Sequence, residues 1–399
     1  MHRREYKKKL ADSALEEASE IVSDLDNWEE VWPSLIEKVA SSRIELRVSA
    51  LQSMNKILTA RYIEYSEIEP FLEDTLNCLH NPIMSRASRE EHDEALTVLC
   101  NLSLNTFAEF EPYVHIFLDD IIPSLPDMTE EESFRFFAIA FVVSISVSHQ
   151  DLCMKVFRSL HGLMTNKKSR TTEFTEQMIS SCIKSIGLLI STFPDEVVAD
   201  TIYSDLTALI DLAVSNQKPL VILAAIDLIP IIYEAILTVE SQNQTEEAVN
   251  AIKSKQFASK YKSKISDLGS DLSKKADQKT VKSRVKEVTD LLSNIAVRDG
   301  TLMEGASESI VLNSQEVEIF GVRNCLILSA IRRITKVHFQ QQMSENLEIR
   351  DFFGFKLLSS DHALRLKKKN KGEIMKNRVQ TKKEREMEIN KKRRQKEGL

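Results

Sequence analysis

Glycine and proline are scarce in this 399-residue chain, at nine of each. Tight turns depend on them, so the scarcity argues against β-sandwiches, barrels and dinucleotide-binding sheets. Cysteine is sparse as well. Cys78, Cys100, Cys153, Cys182 and Cys325 are odd in number, scattered, and form no CxxC. Such a set suits a reducing compartment, where each is a small core residue rather than half of a disulfide. Nucleotide and hydrolase signatures are missing, with no P-loop, GxGxxG, GxSxG or HExxH. His149 and Cys153 stand i, i+4, but nothing nearby completes four ligands, so no metal is expected. The first ten residues, MHRREYKKKL, lead into no apolar stretch, and no secretory signal is expected. Of the two strongest apolar stretches, Phe136–Val147 is too short to span a bilayer. Leu220–Leu237 carries Asp227, Pro230 and Glu234, so both read as core helices. We therefore expect no enzyme, no cofactor, no small-molecule substrate and no membrane.

Charge is abundant, and it is unevenly placed. The chain carries 53 Lys and Arg against 60 Asp and Glu, a net charge of −7. Residues 361–399 hold 15 Lys and Arg against 6 Asp and Glu, or +9, which leaves −16 in residues 1–360. Within the body, residues 10–252 carry −25, from 15 basic and 40 acidic side chains. Residues 253–286 reverse this with 11 basic side chains against 3 acidic, and residues 1–9 add a short arm of +4. A basic arm on an acidic body is suited to a polyanion that the body itself repels. The arm has no aromatic residue and no core-sized apolar stripe, so by itself it cannot offset its ordering entropy. If residues 364–396 formed one helix, it would be ~50 Å long at about 1.5 Å per residue.

Leu, Ile, Ala, Ser, Glu and Lys dominate, which favours helices. Asp26 and Asn27 suit a cap before a helix over Trp28–Ala40. In RIELRVSALQSMNKIL, the residues Leu46, Ala50, Leu51, Met54, Ile57 and Leu58 fall on one helix face. Further helices are predicted at 66–80, 88–106, 109–122, 130–148, 150–165, 172–192, 195–215 and 219–239. Asn81-Pro82, Pro123, Pro126, Asn166, Pro194 and Pro219 punctuate them. Pairs recur roughly every 40–45 residues, the period of HEAT and armadillo arrays. The expected fold is all-α, a HEAT/armadillo-like α-solenoid with a long basic C-terminal helical tail. Its parts are a basic N-terminal arm (1–9), an acidic repeat domain (10–252), a basic linker or helix (253–286), a C-terminal helical part of the body (287–360) and the tail (361–399). Within the fourth part, 281–297 reads as amphipathic, 308–312 as a short strand or turn, and 316–341 as a helix.

Two stretches resemble a known family. KKADQKTVKSRVKEV (274–288) resembles the K-x-D-K-R-K-x-R-S-x-F-R-(D/E) signature of the interferon-related developmental regulators. Lys275, Asp277, Lys279, Lys282, Ser283, Lys286 and Glu287 fall on matching positions, while Val285 stands for the usual Phe and Gln278 for a basic residue. NLEIRDFF (346–353) is similar to the family's N-x-x-(L/I)-R-(D/N)-x-F. KNRVQTKKER (376–385) resembles its K-x-R-x-x-x-R-x-K. The resemblance implies α-helical repeat proteins that bind ribosomes held out of translation, a C-terminal helix entering the mRNA channel. It also implies transcriptional co-regulation for some members.

The expected partner is then the ribosome, through rRNA, ribosomal proteins and the small-subunit mRNA channel. RNA contact is expected from Lys367, Lys368, Lys369, Lys371, Lys376, Arg378, Lys382, Lys383, Arg385, Lys391, Lys392, Arg393 and Arg394 in the tail, and from Lys274, Lys275, Lys279, Lys282, Arg284 and Lys286 in the body. Arg350, Phe352 and Phe353 form a candidate partner-binding cluster. The expected location is the cytoplasm. KKRR (391–394) suits nuclear import as well, which fits the alternative of a nuclear α-solenoid adaptor.

Overall fold

The computed structural model describes residues 27–85, 88–216, 218–242, 252–270, 272–298 and 301–357. Twelve of its helices alternate along the chain. They are α1 (Trp28–Val39), α2 (Ile44–Ala60), α3 (Tyr65–Met84), α4 (Arg89–Thr106), α5 (Glu111–Ser124), α6 (Phe134–Ser146), α7 (Gln150–Thr165), α8 (Glu176–Ile190), α9 (Tyr203–Val214), α10 (Pro219–Gln242), α11 (Ile252–Ser266) and α12 (Lys275–Asn294). The even-numbered helices stack consecutively from α2 to α12, and each packs on the odd-numbered helix before it. The inner helices from α2 to α10 start at Ile44, Arg89, Phe134, Glu176 and Pro219, in keeping with the period of roughly 40–45 residues read from the sequence, and α12 starts later than that period, at Lys275. The fold is an all-α solenoid.

Local chemistry sets the helix ends. Ser88 caps α4 by accepting from the Glu91 amide at 3.3 Å, and Thr175 caps α8 by accepting from the Met178 amide at 3.3 Å. Glu64 and Glu67 close a reciprocal capping box at the start of α3. The inner helices α4, α6 and α10 are buried on nearly every side. α6 and α10 read in sequence as near-continuous apolar runs, whereas α4 opens on the polar stretch Arg89–Glu94 and turns apolar only from Ala95. α10 is long and apolar enough to cross a membrane by composition, but most of it is buried inside the array.

After α12 the chain makes two antiparallel hairpins, β1 (Ala296–Arg298) with β2 (Thr301–Glu304), and β3 (Ser307–Leu312) with β4 (Gln315–Phe320). It then forms α13 (Val322–Thr335), α14 (Phe339–Glu345) and α15 (Leu347–Phe352). This segment runs back along the inner row. α13 packs on α10, α8 and α4, and α14 packs on α2. The inner row is therefore covered by outer helices on one side and by the chain's own C-terminal segment on the other.

The helix predicted over 316–341 is corrected by this arrangement. Gln315–Phe320 is a strand, and the helix starts only after Gly321, whose φ is +96°. Val317 and Ile319 are buried while Glu316, Glu318 and Phe320 face out, which is a period of two, not 3.6. Asn313 and Ser314 both take positive φ, at +49° and +67°, as a two-residue hairpin turn requires. The predicted helix over 195–215 begins instead with a π-helical turn at Val197–Thr201, and α9 follows from Tyr203. The segment expected as a basic linker or helix is built from α11 and most of α12, which form a further pair of the array.

Candidate nucleic-acid interface

Two groups of basic residues in 253–286 take different roles. On α11, lysines turn inward onto carboxylates of the preceding pair. Lys260 and Lys264 meet Asp211 at 3.2 and 2.8 Å, and Lys253 meets Asp200 at 2.8 Å and the Tyr203 ring at 4.5 Å. Burial would raise the Asp211 carboxyl, but the two lysines outweigh it and hold the group below its ordinary range. These lysines fasten α11 to the acidic array.

On α12 the spacing does the opposite. Val281, Val285, Val288 and Leu292 form the buried stripe at i, i+4, i+7 and i+11. Lys275, Lys279, Lys282 and Lys286 repeat the same interval on the outer face, and all four are exposed, as is Lys274 before the helix. Among the described residues none of the five meets a carboxylate at ion-pair distance. The result is a row of lysines free of ion pairs among the described residues, their Cβ atoms about 5–6 Å apart along one helix, an arrangement suited to a phosphate backbone.

Arg284 differs from these lysines. It is half-buried and bonds Asp227 at 2.7 Å and Glu287 at 2.9 Å. Burial would lower its pKa, yet the two carboxylates raise it. Its place in the fold is to tie α12 to α10.

Arg350, Phe352 and Phe353 come together at the end of the described chain. Phe353 is half-buried against the core, and Phe352 meets it edge-on at 5.1 Å and approaches Phe107 at 6.4 Å. Arg350 is half-buried, and its backbone carbonyl accepts from the Phe355 amide at 3.0 Å. The cluster seats α15 on the array and leaves one face of Phe352 exposed. The tail residues from Lys367 to Arg394 lie outside the described residues, as does the arm 1–9. His149, considered above beside Cys153, bonds Glu111 at 2.5 Å instead.

Of the residues that position the C-terminal segment, Asn346 opens the NLEIRDFF stretch singled out in the sequence, while Gln342, Arg323 and Glu234 carried no signal. The Gln342 amide donates to the carbonyls of Leu58, Thr59 and Arg61 at 3.0, 3.1 and 2.8 Å. Asn346 donates to the Leu104 carbonyl at 2.8 Å while its oxygen caps α15 at the Ile349 amide. Arg323 caps the C-terminal end of α8, reaching the Ser191 carbonyl at 3.0 Å, the Phe193 carbonyl, and Asp195. Glu234 accepts from the Val322 amide at 2.6 Å, placing an anion at the N-terminus of α13. Burial raises the Glu234 carboxyl against these interactions.

The sequence model of the family described as Interferon-related developmental regulator (IFRD) matches residues 6–296. Among solved structures, a designed armadillo repeat protein is similar over 64% of this chain and 99% of its own, at 15% identity and a TM-score of 0.37. No curated protein matches.

Proposed function

This chain belongs to the interferon-related developmental regulator family, and on that premise we propose that it is a non-catalytic ribosome-binding factor that keeps idle ribosomes inactive. The solenoid docks on the ribosome. The basic segment 361–399 then lies in the mRNA path of the small subunit and excludes mRNA.

The observation that carries this reading is the separation of charge. A stretch of +9 follows a body of −16. The body avoids RNA except along the α12 lysine row, so binding to rRNA is directed to two places. Docking by the body raises the effective concentration of the tail at its site. That matters because ordering about 30 residues costs roughly 1–2 kcal/mol each in backbone entropy. An enclosing RNA surface with many phosphates can offset such a cost. The proposed location is the cytoplasm.

Sedimentation tests the reading. Full-length protein should travel with salt-washed ribosomes through a sucrose gradient. KKRR (391–394) favours a second reading, a nuclear adaptor in transcriptional control. That reading predicts protein left at the top of the gradient at every salt concentration.

A further inference from the structure

Where α13 crosses α6, α8 and α10, two hollows adjoin. The first has a volume of about 230 Å³ and is lined by Gly187, Leu188, Leu228, Ile231, Leu326 and Ala330 among others. Its depth depends on Gly187, because a Cβ there would come within 2.9 Å of Leu228 Cδ2. The second, about 240 Å³, is more polar and includes Ser133, Gln177 and Ser181. Phe137, Lys184 and Arg333 line both hollows and so form the wall between them.

The wall is basic within an acidic array. Lys184 is exposed, and the Arg333 guanidinium lies 4.1 Å above the Phe137 ring and 5.0 Å from Phe134. Stacking orients the guanidinium but leaves its charge unneutralised. Among the described residues neither cation meets a carboxylate at ion-pair distance. The acid lining the first hollow, Asp227, is already paired with Arg284 at 2.7 Å. In the second, Asp93 is paired with Arg89 at 3.6 Å, and Glu131 is the other acid of the lining.

We propose that these hollows dock an acidic peptide segment of a partner protein that carries a large apolar side chain. The apolar side chain fills the first hollow, and a flanking carboxylate bridges Lys184 and Arg333. An array bearing −25 over residues 10–252 offers an acidic peptide few other footholds, so the positive wall gives it an address. The apolar hollow beside that wall selects a peptide over a bare polyanion, because a phosphate backbone has nothing to place there.

Three fluorescein-labelled probes test this against full-length protein at physiological salt. One is Glu-Asp-Leu-Phe-Asp-Glu, one replaces Leu-Phe with Ser-Ser, and one replaces every acid with Lys. The first should bind at least about tenfold tighter than either other. Lys184→Glu should weaken it by about tenfold while the circular dichroism spectrum stays unchanged. Equal binding of the first two probes would show attraction to basic segments alone and overturn the proposal. So would binding insensitive to Lys184→Glu, preference for the Lys probe, or no binding by any probe.

Discussion

The side-chain amide of Gln342 donates to the backbone carbonyl of Leu58 at 3.0 Å, between residues 284 positions apart. That bond ties the second helix of the array to the last helices of the described chain. Gln342 is fully buried and also serves the carbonyls of Thr59 and Arg61. Replacing it with Leu keeps bulk and removes the amide that these carbonyls share, while the Leu58 carbonyl keeps the Asn105 amide at 3.1 Å. Gln342→Leu should cost about 1–3 kcal/mol in chemical denaturation. Hydrogen exchange should accelerate in 322–357 and remain slow in α4 and α6. Uniform acceleration would mean that the segment is no separate unit.

Arg323 fastens the other end of the same segment. Its side chain is 12% exposed and caps α8 beside Asp195. Arg323→Ala should cost about 2 kcal/mol, the upper range for a cation at a helix C-terminus. The Arg323→Ala, Gln342→Leu double variant should lose less than the sum, since either change releases the shared segment. Strict additivity in denaturation midpoints would contradict a single clasp.

Glu111 makes acid stability testable. Its carboxylate accepts from the amides of Ser148 and His149 at 3.2 and 3.1 Å, at the start of α7. Burial alone would raise this carboxyl, but hydrogen bonds from the Ser148 hydroxyl at 2.7 Å and the His149 ring at 2.5 Å, with the two amides, outweigh it and hold the pKa at about 2, against an ordinary 4.5. A lowered carboxyl pKa stabilises the fold fully above the unfolded value and loses that contribution as pH falls toward the folded value. Glu111→Gln should therefore destabilise by about 3 kcal/mol at pH 7, and the gap should close between pH 4.5 and 2. A gap independent of pH would assign the loss to shape rather than charge.

The array was legible because its signals are local and periodic. The Gln150–Thr165 helix falls where the sequence reading placed it, and the inner helices from α2 to α10 keep the predicted interval, which α12 exceeds. The β3–β4 hairpin was half legible. ESIVL suggested a strand, but Asn313-Ser314 is a weaker turn signal than Asn-Gly, so Val317, Ile319 and Phe320 were absorbed into the following helix. Charge counting found the basic segment and could not divide it. Lys260 and Arg284 look like their neighbours until the fold sets Asp211 and Asp227 beside them. Pairings such as Gln342 with Leu58 have no periodic signature, because their geometry exists only once the array has closed.

The lysine row predicts a salt effect. Reversing Lys275, Lys279, Lys282 and Lys286 to Glu alters an exposed face and should leave the helical signal intact. RNA affinity should fall, and the slope of log affinity against log salt should flatten by about 0.7–0.9 for each phosphate no longer neutralised. An unchanged slope would remove α12 from the interface.

Competition with mRNA tests the central claim most directly. Full-length protein and the 1–360 fragment are each added to empty ribosomes, and later mRNA loading is measured. The fragment keeps every described helix and should retain the circular dichroism of a folded solenoid. Full-length protein should block loading, while the fragment binds without blocking. Equal inhibition by the two, or equal binding of full-length protein to empty and mRNA-filled ribosomes, would contradict a tail that occupies the mRNA path.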